Sequence, residues 1–442
     1  MARRRICIDG FNLDMAKGSG IATYARNLGA TLKKIGFQTE LLHGPRREPG
    51  SNNLINEVAL FDAVQIKGPR PTIREFLRKR AKPPHRDAKR IELTGLVDAR
   101  QMGAGDFGAE VHWSCRDVFG VANRDFAAHG RFTEVSFASE GVRAPPDAAH
   151  WTCVLPLRAP KAFNIYTIHD VVPLKLPFAT LDDKPRFFEL CKNICRDADH
   201  VITVSEKSRQ DIIDIFGISE DRITNTYQCV TFSSALLRAD DQEVAAEVES
   251  TFNLGWKDYY LFFGAVEPKK NLARTIEAYL SAGVKAPLVI IGGRAWLDED
   301  ETRMIENQRL QIQIVEGGVL QRNDRIRRYD YLSAASLVSV IRGAKATLFP
   351  SLYEGFGLPI LESMLLGTPV LTSTAGASAE IAGEAALLVD PYDTRAIKRA
   401  IQALDCDEGL RLDLSRRGSD QAAKFSPEAY EQRLDDLYRK LF

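Results

Sequence analysis

Short apolar runs alternate with helix-like stretches along most of this chain, and this alternation limits the possible folds more than any other feature. Apolar runs bounded by turn residues predict buried strands, and the stretches between them have the periodicity of helices that cover a sheet. The predicted strands are 5–9, 39–43, 164–169, 200–205, 259–264, 288–292, 312–315, 346–350 and 369–372. The pattern predicts an α/β architecture with strands enough for two doubly wound, Rossmann-like sheets.

The same pattern predicts where the chain divides. Residues 238–250 form a polar, acidic stretch between the first group of strands and the second, as is typical of a domain boundary. We therefore expect one domain over 1–237 and another over 251–424, in keeping with a length of 442 residues. Residues 45–143 are rich in charge, Gly and Pro and have weak periodicity, so they predict a long insertion in the first domain.

Composition restricts the partners of this chain. The 59 Lys and Arg residues balance 59 Asp and Glu residues, so we expect no nucleic-acid partner. No stretch approaches the ~20 apolar residues of a membrane span, and the N-terminus lacks the pattern of a signal peptide. The seven cysteines are scattered, as reduced thiols are. These features predict a cytoplasmic protein.

One local patch departs from the overall balance of charge. Residues 67–90 are strongly basic, with only Glu75 and Asp87 as acidic members, and prolines interrupt them. Two interpretations stay open. The stretch is either a solvated insertion or a surface that docks to the anionic inner face of the cytoplasmic membrane.

The residues that follow the strands carry the chemistry, because open α/β sheets bind ligands beyond the carboxyl ends of their strands. In the first half, Gly18-Ser19-Gly20 leads into a helix pattern, and Gly20 permits close approach of an anion. The run 164–169 ends in His169-Asp170. A histidine there either forms a structural hydrogen bond or takes part in sugar binding and proton transfer.

In the second half, lysines follow a strand. Glu267-Pro268-Lys269-Lys270-Asn271 lies between the predicted strand 259–264 and a helix pattern. An ammonium group beside a helix N-terminus is a good clamp for a diphosphate, although surface lysines at a helix start are common. Arg294, after the next strand, is a candidate for a second cation at this edge.

The strongest signal is the segment 349–362, Phe-Pro-Ser-Leu-Tyr-Glu-Gly-Phe-Gly-Leu-Pro-Ile-Leu-Glu. A strand ends at Pro350, a Gly-x-Gly loop follows, and Pro359 is predicted to be the first residue of a helix, where its missing N–H has no cost. The residues whose backbone N–H groups are predicted to converge on phosphate oxygens are Gly355, Phe356, Gly357 and Leu358.

Two glutamates flank this loop. Glu354 and Glu362 are eight residues apart, so that one is predicted to face a sugar and the other a ribose. For Glu362 alone, the dipole of the predicted helix is a sufficient reason for a carboxylate. Within the whole segment the ligand role is favoured.

Other motifs are absent or weak. The glycines near the N-terminus lack the third glycine of a dinucleotide fingerprint, and no P-loop occurs. The acidic residues 298–300 are predicted to open a helix over 296–307, and Cys191 and Cys195 lack the spacing of zinc ligands. We expect neither a metal site nor a cofactor.

Taken together, these motifs resemble glycosyltransferase family 4, whose members are retaining enzymes with the GT-B fold. The segment from Glu354 to Glu362 is similar to the family's Glu-x7-Glu signature, and Glu267-Pro268-Lys269-Lys270-Asn271 is similar to its Glu-Pro-Arg-Lys-Asn segment. The segments 167–170, 20–28 and 201–211 also agree. The resemblance covers nearly all of the second half and the flanks of the first, but not the insertion.

The resemblance implies a role for each matching residue. Lys270 neutralises the diphosphate leaving group, Glu362 holds the ribose, and Glu354 contacts the donor sugar. The backbone of residues 355–358 contacts sugar and phosphates, His169 lies near sugar and acceptor, and Gly20 approaches the phosphate. Residues 425–442 resemble the closing helix that crosses back to the first domain in GT-B proteins, with hinge closure between the domains.

Two positions depart from the family. Gly264 stands where some relatives have an arginine, for which Arg294 is a candidate substitute, and Gln228-Cys229 stands where Asn-Gly is usual.

The resemblance predicts metal-independent transfer of a sugar from a nucleoside-diphosphate sugar, with GDP-mannose favoured. The acceptor would be a glycan or a lipid-linked molecule in bacterial surface polysaccharide or O-antigen synthesis. The alternatives are a UDP-sugar donor and an inactive nucleotide-sugar-binding partner in an assembly. A nicotinamide dehydrogenase is disfavoured because the third glycine is missing.

Overall fold

The computed structural model describes residues 3–13, 20–61, 84–97, 108–137, 145–293, 311–316 and 319–442. Most strands in this part of the chain belong to two sheets, one in each half. A separate antiparallel hairpin is formed by β13 (Gln311–Glu316) and β14 (Val319–Asp324).

Among the described residues, the first sheet has ten strands in the order β10-β9-β8-β6-β1-β2-β4-β3-β5-β7. Its strands are β1 (Arg5–Asp9), β2 (Gln38–His43), β3 (His85–Ile91), β4 (Val111–Ser114), β5 (Thr133–Phe137), β6 (Ala148–Trp151), β7 (Leu157–Arg158), β8 (Phe163–Thr167), β9 (His200–Thr203) and β10 (Ile223–Asn225). All neighbours are parallel except β3 and β4. The strands from β10 to β4 in that order therefore run in one direction and their carboxyl ends share one edge, where ligands bind in such sheets, whereas β3, β5 and β7 run the opposite way.

The second sheet is parallel throughout, in the order β15-β12-β11-β16-β17-β18. Its strands are β11 (Tyr260–Phe263), β12 (Leu288–Ile291), β15 (Ile326–Tyr329), β16 (Ala346–Phe349), β17 (Val370–Ser373) and β18 (Leu387–Val389). Strands β11, β12, β16 and β17 are buried at every residue, as expected where helices cover both faces of a parallel sheet.

Helices connect and cover the strands. Before β11 they are α1 (Gly20–Lys34), α2 (Asn53–Phe61), α3 (Val118–His129), α4 (Val172–Lys175), α5 (Lys184–Asp197), α6 (Glu206–Phe216), α7 (Ser234–Arg238) and α8 (Asp241–Phe252). They continue with α9 (Leu272–Ala282), α10 (Ala334–Gly343), α11 (Leu358–Leu365), α12 (Ser378–Ala382), α13 (Thr394–Cys406), α14 (Glu408–Ala423) and α15 (Pro427–Leu441).

Several strand predictions coincide with observed strands, and others need correction. The run 5–9 is β1, and the runs near β2, β8, β9, β11, β12, β16 and β17 match to within a few residues. The run 312–315 lies in β13, which forms an antiparallel pair with β14 and, within the ranges that the structure describes, joins neither parallel sheet. In the range 45–143, where an insertion is predicted, β3, β4 and β5 are strands of the first sheet, so the described part of it is integral to that sheet.

The last helix, α15, packs on the first half of the chain. Its Tyr438 hydroxyl hydrogen-bonds His150 Nδ1 at 2.6 Å, and its Glu431 pairs with Lys34 of α1. Arg4 donates to the carbonyl of Phe442. The first sheet takes its last strand before residue 226 and the second takes its first at 260, and the exact domain limits stay a prediction.

Candidate active site

Loops from the two sheets meet at their carboxyl ends. The signature loop, residues 351–357, follows β16, and its Gly355 lies against the loop after β8. A Cβ atom at position 355 would lie 2.6 Å from Asp170 Cβ and 3.0 Å from the carbonyl oxygen of His169. Real Cβ atoms do not approach other atoms so closely, so only glycine permits this contact between the halves.

A second contact between the halves lies beside the first. A Cβ atom at Gly20, the first residue of α1, would lie 3.2 Å from Leu358 Cδ1, at the start of α11. The amino ends of α1 and α11 therefore adjoin each other. Gly18 and Ser19, which precede α1, lie outside the described residues.

Lys270 and Glu354 form an ion pair in this region. Lys270 Nζ lies 2.7 Å from Glu354 Oε1, and the side chains are only 12% and 7% exposed. Burial alone would raise the pKa of Glu354, but Lys270 and Lys269 outweigh it, so the pKa is lowered and the group is a carboxylate. The ammonium of Lys270 also lies 5.0 Å from the centre of the Phe349 ring. The structure thus joins two predicted site residues that are 84 positions apart in sequence.

Lys269 forms its ion pair with a different carboxylate from the one that Lys270 contacts. Its ammonium pairs with Glu267 at 3.3 Å. Burial would lower its pKa, but Glu354, Asp170 and Glu267 together raise it, so Lys269 is charged. Since Asp170 belongs to the first half, Lys269 interacts with carboxylates of both halves. The sequence indicates two lysines here but no distinct role for Lys269.

Asn271 holds the lysine segment in place. It adopts a left-handed backbone conformation (φ 60°) just before α9 and is buried. Its side-chain amide donates to the carbonyls of Pro350, at 2.9 Å, and Pro391, at 2.7 Å. One side chain therefore ties together the loops that follow β11, β16 and β18. Sequence reasoning missed this role, although the residue is part of the matched segment.

Helix α11 presents its amino end at the site. Gly357 precedes it with φ 100°, a left-handed conformation suited to glycine, and the first helical residue is Leu358. Pro359 is therefore the second helical residue and not the first, where its missing N–H is equally tolerated. Among the described residues, no acceptor pairs with the N–H groups of Phe356 and Gly357. They are available to an anion.

Glu362, one turn into α11, contrasts with Glu354. Burial raises the pKa of Glu362 to about 7. In the described part of the chain, its carboxyl group has no hydrogen-bonding or ionic partner to oppose that effect. Such a group can take up hydroxyl donors from a ligand.

His169 is neutral and oriented. Its Nε2 lies 2.9 Å from the carbonyl oxygen of Thr152, and a carbonyl only accepts, so Nε2 carries the proton. Burial lowers the pKa of His169 despite the opposing effects of that bond and of Asp170. The ring stands edge-on to Tyr24, with centroids 4.8 Å apart. Nδ1 therefore remains an acceptor.

Some predicted features cannot be placed. Arg294, the acidic residues 298–300 and the predicted helix 296–307 lie outside the described residues. Within the described ranges, no group of three or more His, Cys, Asp or Glu residues is arranged to hold a metal ion. In the same ranges, no helix combines the length and apolarity needed to cross a membrane.

Two family models match this chain. The model "Glycosyl transferases group 1" matches residues 248–421, which include Lys270, Glu354 and Glu362. The model "Glycosyltransferase Family 4" matches residues 144–231, which include His169.

Two relatives from Escherichia coli are named mannosyltransferases. The chain is 32% identical over 292 residues to O-antigen chain mannosyltransferase B, which is 65% of this chain and 72% of that protein. It is 27% identical over 268 residues to the serotype-specific mannosyltransferase WbdA, which is 60% of this chain but 32% of WbdA. The chain therefore spans about a third of the length of WbdA.

Solved glycosyltransferase structures share the fold. The crystal structure of HepE from Anabaena in complex with UDP and glucose superposes with a TM-score of 0.64 at 13% identity, over 99% of this chain and 100% of that chain. The predicted GT-B fold is thus confirmed. With the family models matching both halves and a 32% identical relative largely covered, the chain belongs to glycosyltransferase family 4, the glycosyl transferases of group 1.

Proposed function

We propose that this glycosyltransferase is a retaining, metal-independent hexosyltransferase that uses a nucleoside-diphosphate sugar, with GDP-mannose favoured. The acceptor is a glycan or lipid-linked molecule of a bacterial surface polysaccharide or O-antigen. The observation that carries the proposal is the Lys270–Glu354 ion pair beside the open amino end of α11, where the two halves touch.

The proposed chemistry uses fixed positive charge at the leaving group. As the bond between the sugar and the diphosphate breaks, negative charge grows on the phosphate oxygens. The ammonium of Lys270 and the N–H groups of Phe356 and Gly357 supply positive charge and donors there. These groups are proposed to take up the charge in place of a divalent ion.

The remaining groups are assigned by their chemistry. Glu362 accepts hydrogen bonds from the ribose hydroxyls, and Glu354 contacts the donor sugar while it holds Lys270. The neutral His169 offers Nδ1 to a sugar or acceptor hydroxyl. Gly20 lets the first half approach the phosphates. Retention follows when the acceptor attacks the face from which the diphosphate leaves, without commitment to a carboxylate nucleophile.

Two observations bear on the donor. Both E. coli relatives are named mannosyltransferases, which supports mannose, and GDP-mannose remains the favoured donor. HepE was crystallised with UDP and glucose, which supports a UDP-sugar as the second candidate. An inactive binding protein is disfavoured because the Lys270–Glu354 pair is intact.

The test begins with a thermal-shift screen of GDP, UDP, ADP, dTDP and NAD, because a ligand that binds only the folded state raises Tm. We expect the largest rise with GDP, followed by turnover of GDP-mannose that EDTA does not diminish. A rise in Tm with UDP alone would indicate a UDP-sugar donor instead of GDP-mannose. Stabilisation by NAD alone, or binding of a nucleotide without turnover of any nucleotide sugar, would contradict the proposed function.

A further inference from the structure

The amino end of α6, in the first half, is hydrogen-bonded to the signature loop of the second half. Ser205, which precedes α6, donates from its hydroxyl to the carbonyl oxygen of Gly355 at 2.7 Å. Ser208 donates to the same oxygen at 3.2 Å. Both serines are buried, so these bonds form away from solvent.

The same helix also holds the residue on the other side of Glu354. The hydroxyl of Tyr353 donates to the carboxylate of Asp211, which is 1% exposed. Lys175 and Lys207 lie 2.9 and 2.8 Å from the other oxygen of Asp211. Burial alone would raise the pKa of Asp211, but these bonds keep it low, so the carboxylate is a strong acceptor for the tyrosine.

A third connection runs through α12. Both carboxylate oxygens of Glu380 accept from the first backbone N–H groups of α6, those of Glu206 and Lys207, at 2.8 and 3.0 Å. The residue before α12, Ala377, donates its own N–H to the carbonyl oxygen of Glu354 at 2.9 Å. The carbonyl of Glu354 is therefore bonded to Ala377, and the residues on either side of Glu354 are bonded to α6 or to the serine that precedes it.

We propose that the start of α6 positions Glu354 for transfer by holding the residues on either side of it. The helix touches neither the Glu354 carboxylate nor Lys270, so its serines and Asp211 are positioning residues. Because they belong to the first half, Glu354 takes its place only when the two halves are together. The inference rests on the proposed function, since turnover is its readout.

The test uses hydroxyl deletions in the full-length chain. Tyr353→Phe and Ser208→Ala each remove one bond between the halves, and Ser205 is left intact because it also caps α6 by accepting from the Ser208 N–H. Matched controls remove hydroxyls that donate to carbonyls within the second half. These are Tyr279→Phe, whose hydroxyl donates to Ala286, and Ser415→Ala, whose hydroxyl donates to Gly367.

Each interdomain bond is expected to contribute roughly a fivefold factor, so the double variant Tyr353→Phe/Ser208→Ala is expected to lower kcat about 25-fold. The KM for the donor and the Kd for its nucleoside diphosphate change less than about threefold, because the groups that face the phosphates are untouched. The controls lower Tm by a similar amount but leave kcat unchanged.

Two outcomes would overturn the inference. One is an unchanged kcat in the double variant, and the other is a loss of kcat that the controls reproduce at equal loss of Tm. Lys270→Ala, measured in parallel, separates this from failure of the proposed function. If Lys270→Ala retains full turnover, the proposed site itself is wrong. If it loses turnover while the double variant does not, only the positioning role is wrong.

Discussion

The two halves of this molecule contribute different kinds of groups to the candidate active site. The second half supplies paired charges, Lys270 and Glu354, on loops that Asn271 ties together. The first half supplies a neutral imidazole, His169, and close backbone contacts such as Gly20. In the proposed function, the charged donor would therefore be bound mainly by the second half, while the first half would contribute shape and hydrogen bonds. Substitutions in each half test this division of roles.

The largest effect is expected from the charge in the second half. Lys270→Ala removes the cation at the leaving group, and we expect turnover to fall by about 10²–10³-fold, as when a single charge-stabilising donor is lost. The variant also leaves Glu354 buried without its partner, so Tm should fall as well.

The matched control for this prediction is Lys285→Ala. Lys285 is exposed and precedes β12, at the opposite end of the sheet from the site. Steady-state rates per folded protein, with Tm alongside, separate chemistry from folding. Equal rates for the two variants would show that the second half does not supply the charge.

The next largest effect is expected at the contact between the halves. Gly355→Ala places a Cβ atom 2.6 Å from Asp170 Cβ, so the loops must separate. Because proximity depends on positions within about an ångström, we expect turnover to drop by roughly 10²-fold. Small-angle scattering should show a wider molecule.

Gly50→Ala is the control for that substitution, because a Cβ atom there meets no other atom within 4 Å. Full turnover in Gly355→Ala would show that the closed contact between the halves is not needed for transfer.

A smaller effect concerns the two glutamates. The pKa of Glu362 is raised to about 7 in the folded chain from an ordinary value of 4.5, so folding favours its protonated form. The stability this provides is present at low pH and is lost as pH rises from 4.5 through 7. Glu362→Gln should therefore stabilise the chain by up to about 3 kcal/mol at pH 8 and have little effect at pH 4.5.

The pKa shift of Glu354 is opposite in direction to that of Glu362. Its pKa is lowered, so its contribution is present above pH 4.5 and is lost as pH falls below that value. Glu354→Gln is thus expected to destabilise at neutral pH. Urea titrations of both variants at several pH values check the pair, and a stabilisation by Glu362→Gln that is independent of pH would contradict the assignment.

The smallest effect on turnover is expected for the basic stretch 67–90, whose predicted role is membrane docking. Its end lies in β3, where Lys89 and Arg90 are exposed, so a deletion of the entire stretch would remove a strand. Replacing the basic residues of 67–82 by Gln keeps β3 intact. We expect weaker co-sedimentation with anionic vesicles, by on the order of 1 kcal/mol per charge removed near the surface. Unchanged sedimentation would favour the solvated insertion.

Strands were predicted correctly from sequence where consecutive apolar residues indicated burial. β1 and β11 are apolar runs and were predicted within a residue of their bounds. β3 has the sequence His-Arg-Asp-Ala-Lys-Arg-Ile and exposes most of its side chains. Because it is highly charged, it was assigned to the predicted insertion and not recognised as a strand. β6, Ala-Ala-His-Trp, is fully buried at the centre of the first sheet, yet its composition gives little sign of this.

The candidate site shows the same limit. Lys270, Glu354 and Glu362 could be singled out because each lies beside a strand end in a motif of restricted spacing. The serines that hold Gly355 could not, since Ser205 reads only as a helix cap and its partner is 150 residues away. The signals available for them are the cap pattern and the family resemblance over 201–211, and neither identifies Gly355 as their partner.

Local burial and backbone preferences are readable from the amino-acid sequence, so most strand–loop–helix units, the family and the residues at the carboxyl ends of those strands could be predicted. Which of these ends meet depends on tertiary packing. The pairing of Lys270 with Glu354 and the contact of Gly355 with Asp170 depend on the order of strands and on the packing of one half against the other. Such contacts join distant residues through the shape of the whole molecule, which no local pattern records.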